Sequence, residues 1–182
     1  KCVQEAMGRR YSKLVSALRD PVKANTFVNA FARVLNEKRV GYLKRKARGT
    51  KTANDARFFR WHDSGDIQNL AHFELLVRIA ILCPDIKFWL PTREAKTIQS
   101  YVERGRIIPR NLIVRISDAK VDGKVSPRAK SLTRRKQVTT SSVHKTKKLV
   151  GNLCPAYTQN GECRSCRACW NPNTANVSYP LH

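Results

Sequence analysis

Between Ala56 and Ser117 short apolar runs alternate with helical ones, and this alternation constrains the fold more than any other feature of the chain. ARFFRWH is a run of aromatics fit for a strand. It breaks at DSGD, after which Asn69 is placed to cap a helix through NLAHFELLVRIAILC that Pro84 ends. IKFWLP is the next strand, Thr92 is placed to cap a helix through REAKTIQSYVER, and Gly105 stops it. NLIVRIS, from Asn111 to Ser117, is the third strand. Strand and helix in alternation with short connections form a parallel sheet covered by helices. The strands are nearly continuous in apolar residues, with single basic interruptions, as buried parallel strands are.

The expected fold class is therefore α/β, a partial barrel or three-layer parallel sheet with N-terminal helices and a C-terminal cysteine-rich metal-binding tail. One domain over 1–182 is expected to divide into a helical region 1–51, a βαβαβ core 52–120, a basic loop region 121–150 and the tail 151–182. In the helical region, Met7, Tyr11, Leu14, Val15 and Leu18 share a stripe over residues 4–19. Asp20 and Pro21 then start a second helix, which the pattern Val22, Phe27, Phe31, Val34, Leu35 carries to about Lys38. Residues 38–51, with seven basic residues and no acidic one, read as a charged connection. QVTTSSV reads as a weak strand at most, and NVSYPLH as a last short strand.

Charge narrows the partner. Lys and Arg total 36 against 13 Asp and Glu, a formal +23, whereas the 41% apolar content belongs to a folded protein. Such an excess repels itself, and a polyanion relieves it. DNA or RNA is the expected partner, since counterion release from phosphates drives such binding. The candidate contacts are Lys44, Arg45, Lys46 and Arg48 in the first basic segment. In the second they are Arg128, Lys130, Arg134, Arg135, Lys136, Lys145, Lys147 and Lys148. No run approaches the ~20 apolar residues of a membrane-spanning helix, so no membrane partner is expected. The start KCVQEAMGRRYSKL carries no secretory signal and no initiating methionine, which leaves a longer gene product open.

Cys154, Cys163, Cys166 and Cys169 are spaced C-x8-C-x2-C-x2-C. Adjacent disulfides would be awkward there, whereas thiolates converging on one inorganic centre would not be. Three close cysteines and a remote fourth suit a [4Fe–4S] cluster; structural zinc is the alternative. A reducing compartment follows, the cytoplasm of a host cell. Cys83, inside RIAILCPD, reads as a buried small apolar residue.

In parallel α/β sheets ligands gather beyond the carboxyl ends of the strands. There the sequence places His62, Asp63, Asp66, Arg93 and Asp118, candidates for general base, carboxylates and phosphate holder. DSGD is also a good turn, and Thr92 an ordinary cap. Phe58, Phe59, Trp61, Phe88 and Trp89 read as core. Tyr42, Trp170 and Tyr179 are placed to stack on a base.

RWHDSGD, FWLPTREA, NLIVRIS and GECRSCRACW occur in that order, and the combination resembles the gene product 88 family of phage and plasmid proteins, over roughly Arg57 to His182. Cys2, Gly8 and Tyr11 resemble that family's upstream cysteine motif, with altered spacing and the preceding cysteine absent. The strand-end pattern is also distantly similar to radical S-adenosylmethionine barrels, whose C-x3-C-x2-C motif this chain lacks. The resemblance implies a phage or mobile-element origin and supports the fold and the site rather than a reaction.

Three function classes follow. The first is a nucleic-acid-binding protein with a structural iron–sulfur or zinc site. The second is an enzyme, either a metal-dependent nuclease or phosphoryl-transfer enzyme or a radical-type iron–sulfur enzyme. The third is an inhibitory or structural protein docked on an acidic partner.

Overall fold

The computed structural model describes residues 12, 16–17, 19–52, 54–62, 65–117, 120–145 and 151–181. The helix expected over 4–19 lies largely outside them, as do Cys2, Gly8 and Tyr11.

Helix α1, Pro21–Ala47, begins where Asp20 accepts from the backbone N–H groups of Val22 and Lys23, with Pro21 in the first turn. At 27 residues it is about 40 Å long. It absorbs most of the segment expected to be a loop, because the buried stripe Ala24, Val28, Ala32, Leu35 is continued by Tyr42 two turns later. Its last turn carries Lys44, Arg45 and Lys46, cations at the negative end of the helix dipole.

The three expected strands are β1 (Phe58–Arg60), β2 (Lys87–Thr92) and β3 (Leu112–Ser117). Between them lie α2 (Leu70–Leu82) and α3 (Ala95–Glu103). Asn69 caps α2 by accepting from His72 N, as its position predicts. Thr92 does not cap α3: it ends β2, and its Oγ1 accepts from Glu94 N just ahead of the helix. The side-chain amide of Asn111 points at the carbonyls of Ala80, Cys83 and Ile86, each at 2.9 Å, and closes the C-terminal end of α2.

The expected basic loop of 121–150 contains α4 (Pro127–Leu132) and β4 (Val138–His144). The first four residues of β4 are buried despite their polar sequence because neighbouring strands satisfy their hydroxyls. Thr139 Oγ1 donates to Val114 O, Thr140 Oγ1 to Asn176 Oδ1, and Ser141 pairs with Ser117 at 3.0 Å. Two further strands, β5 (Asn152–Leu153) and β6 (Asn176–Pro180), complete a sheet in the order β1-β2-β3-β4-β6-β5. Every pairing is parallel.

The sheet is a curled partial barrel, and its alternating side chains serve two layers. Phe59, Phe88, Leu90, Leu112, Val114, Ile116 and Val138 pack with the helices. Trp89 and Val177 turn the other way, toward Cys169 and Trp170 of the tail. Cys83 is fully buried in the helical layer, with Ala32 O as its sulfur's acceptor.

The metal-binding tail of the expected fold class is corrected. Among the described residues no group of three or more His, Cys, Asp or Glu side chains is placed to hold a metal ion. The tail is held by other means. Arg115 on β3 is fully buried and donates to five backbone carbonyls, those of Thr140, Ala168, Cys169, Asn171 and Thr174. Trp170 packs edge-on against Trp89 and Phe58, and its Nε1 donates to Phe59 O.

Candidate nucleic-acid interface

The parallel register lines up residues that lie far apart in the chain. Arg57 leads into β1, Lys87 opens β2, Arg110 precedes β3, and Lys136 precedes β4. Phe58 pairs with Lys87, and Val114 with Val138, so the four cations stand near one level at the N-terminal edge of the sheet. Lys87 and Arg110 line one hollow beside Trp170, of about 280 Å³. Arg167 of the tail reaches the same edge, with its guanidinium 4.7 Å from the Phe58 ring centroid and Lys87 lining the hollow beside it.

The predicted basic clusters flank this row. Lys44, Arg45, Lys46 and Arg48 stand at the end of α1, near Arg57, whose guanidinium lies over the Tyr42 ring. Arg134, Arg135 and Lys136 lead into β4 from the far side, behind Arg128 and Lys130 of α4. All nine are exposed, as is Lys145 after β4. Lys147 and Lys148 lie outside the described residues.

From β1 to β4 the sheet measures on the order of 15 Å, three strand spacings. Arg57 is engaged by Asp55 at 2.6 Å, which holds the Asp55 carboxyl down at about 2. Neither Lys87, Arg110, Arg167, the three cations leading into β4, nor the cluster ending α1 pairs with a carboxylate among the described residues. The runs of cations were visible in the sequence; the row was not, because Lys87 and Arg110 are isolated there and only strand pairing aligns them.

At the opposite edge the strand-end candidates are partly gathered. Asp66 braces β1 to β2: its Oδ1 accepts from Thr92 Oγ1 at 2.5 Å and Ile67 N at 2.7 Å, its Oδ2 from Arg93 N at 2.7 Å. The Arg93 side chain is exposed. His62 adopts a positive φ of 52°, and its ring meets that of His72 edge-on at 5.5 Å. Its buried Nε2 has no hydrogen-bond partner among the described residues. Burial lowers its proton affinity, against the opposing charge of Asp66. Asp63 and Asp118 lie outside the described residues.

His72 is pushed down to about 4, by burial first and by His62 second, and its Nδ1 accepts from Gln68 N. Folding therefore keeps this ring neutral, whereas the unfolded chain protonates it near pH 6.5. Stability present above that pH falls as pH drops from 6.5 toward 4 and then levels. The loss expected from His72 is on the order of 3 kcal/mol at most. Urea unfolding at pH 7 and at pH 4.5 measures it, and His72→Gln should remove most of the difference.

The cysteine reading is corrected in the same terms. Cys154, Cys163, Cys166 and Cys169 are free thiols, and the sequence spacing does not translate into a shared centre. Cys154, Cys163 and Cys169 line one cavity and pack with Trp89 and Trp170, and Cys166 does not line it. Cys169 lies against Tyr179 Oη at 3.4 Å, and burial pushes its thiol up to about 11. Burial raises Cys163 as well, so neither offers a thiolate at neutral pH. The [4Fe–4S] cluster, its zinc alternative and the metal-dependent or radical-type enzyme readings that needed such a centre have no metal-holding group among the described residues.

Of the sequence features that carried the resemblance, Asp66 of DSGD, the FW strand, the NL strand and the cysteine-rich tail over the sheet lie among the described residues. The Gene product 88 family matches residues 2–172. The chain belongs to that family. Its membership covers most of the chain, including the segment before Arg57. No curated protein and no solved structure matches the chain, and nothing in these comparisons supports the similarity to radical S-adenosylmethionine barrels. No helix among the described residues is long and apolar enough to cross a membrane.

Proposed function

We propose that this member of the Gene product 88 family binds nucleic acid, DNA or RNA, in the host cytoplasm, through the basic N-terminal edge of its sheet. The observation that carries the reading is the aligned row Lys87, Arg110 and Lys136, flanked by the cations ending α1 and those leading into β4. Asp55 and Asp85 at this edge are taken up by Arg57 and Arg39, so phosphates would meet the cations of the row, and their displaced counterions would supply the driving force. Backbone contact of this kind positions a strand without reading its sequence.

The test is the quadruple variant K87Q/R110Q/R135Q/K136Q. Its affinity should fall about equally for unrelated sequences, and its salt slope should flatten by about 1 for each phosphate that it no longer engages. Neutralising Lys96 and Lys120, exposed cations away from this edge, should change little. Equal losses in both variants would mean that net charge alone acts. Binding only to an acidic protein would favour the docking reading.

A further inference from the structure

Cys163 and Cys166 stand at the two ends of a tight turn of the tail, C-R-S-C. Cys166 N donates to Cys163 O at 2.8 Å, which closes a β-turn over Arg164 and Ser165. Such a turn keeps its first and last Cα atoms within about 7 Å. A disulfide spans about 4.4–6.8 Å between Cα atoms, so the turn holds the pair at bridging range. The surroundings impose this conformation. Arg164 takes a φ of 43°, in the left-handed region that favours glycine, and Arg167 Nη1 clamps the turn by donating to Arg164 O and Cys166 O. Both thiols are free and half-buried, whereas Arg164 and Ser165 between them are exposed, so a small reagent reaches them. The other described cysteines are placed differently. Cys83 is fully buried, Cys169 is shut in against Tyr179 Oη, and the N–H of Cys154 ties it to Ser178 O of β6.

We propose that Cys163 and Cys166 form a reversible dithiol–disulfide couple that reacts with small anionic disulfides of the glutathione class. The excess of cations over the chain draws an anionic reagent. Burial keeps Cys163 protonated at neutral pH, so the first attack falls to Cys166. Its thiolate sulfur bonds one sulfur of the oxidant, and the oxidant's S–S bond breaks. The departing thiolate takes the electron pair and then the proton that Cys166 gave up. Cys163 next releases its proton and attacks the Cys166 sulfur of the mixed disulfide. The Cys163–Cys166 bond forms, and the second thiolate leaves and takes that proton. The protein has then lost two electrons and two protons, and one small disulfide has become two thiols. In a reducing compartment the dithiol is the resting form and the bridge a transient one.

The test equilibrates the full chain in buffers of fixed glutathione and rising glutathione disulfide, followed by alkylation, tryptic digestion and mass spectrometry. Trypsin cuts after Arg164, between the two cysteines, so a bridge leaves the flanking peptides joined until they are reduced. Free thiols should fall by two from the six of the reduced chain, with Cys163 and Cys166 the pair joined. Half-bridging should need at least about 10-fold less glutathione disulfide than in the urea-unfolded chain, because the turn already holds the pair. Cys163→Ser should trap a glutathione adduct on Cys166, and Cys166→Ser should leave Cys163 reduced. Where either variant folds poorly, the map of the parent protein decides. Four results overturn the proposal: a bridge between any other two cysteines, an adduct on Cys166 of the parent that never resolves, no loss of thiols, or equal oxidant demand folded and unfolded. The quadruple edge variant should bridge as the parent does, so this inference stands or falls apart from the proposed interface.

Discussion

Replacing Arg115 with methionine is expected to destabilise the protein by about 3–5 kcal/mol and to release the tail from the sheet. The guanidinium is fully buried and ties carbonyls from β4, the Ala168–Trp170 turn and the segment before β6 to the centre of the sheet. Burial pulls its proton affinity down, with Cys169 and Tyr179 opposing, yet an arginine remains charged across the working range. Methionine fills the volume and answers none of the carbonyls, each of which then lacks a partner away from water. Lysine should fare nearly as badly, because one ammonium has three donors and no planar fork. Denaturant unfolding gives the energy. Reaction of Cys169, which is 5% exposed, with a thiol reagent reports the release: slow in the parent protein, fast in the variant.

Asp66→Ala should cost about 2–4 kcal/mol, the second largest single loss expected. It frees two backbone N–H groups and the Thr92 hydroxyl at once, where the chain around Asp66 meets the end of β2. Asp66→Asn keeps one acceptor oxygen and should lose roughly half as much. Differential scanning calorimetry of the three proteins at neutral pH orders them. An alanine variant as stable as the parent would show that Asp66 is not the brace its bonds describe.

How far the molecule could be read in advance depends on where each signal lies along the chain. β1, β2 and β3 with their two helices were legible because strands buried on both faces are written as apolar runs between caps and breakers. α1 beyond Lys38 was hidden by its own charge: seven cations over 38–51 drown the stripe that Tyr42 continues. β4 was hidden by its hydroxyls, which look like loop chemistry until Val114 O, Ser117 and Asn176 are set beside them. Arg115 read as a basic interruption of β3, and only the folded tail supplies its acceptors. The cysteine spacing misled because closeness in sequence did not become a group placed to hold a metal ion among the described residues. At the site, His62, Asp66 and Arg93 follow the ends of β1 and β2, and the bonds of Asp66 face inward to the fold. The basic row is a product of register and has no sequence motif.

The salt dependence of nucleic-acid binding tests the central claim most directly. Fluorescence anisotropy of the unmodified protein with labelled DNA and RNA, over a range of salt concentrations, yields log K against log salt. An edge that engages five or more phosphates should give a straight line falling with a slope of about −4 or steeper on duplex DNA, and similar lines for unrelated sequences. Absence of binding in dilute buffer, or an affinity that salt does not change, would contradict it.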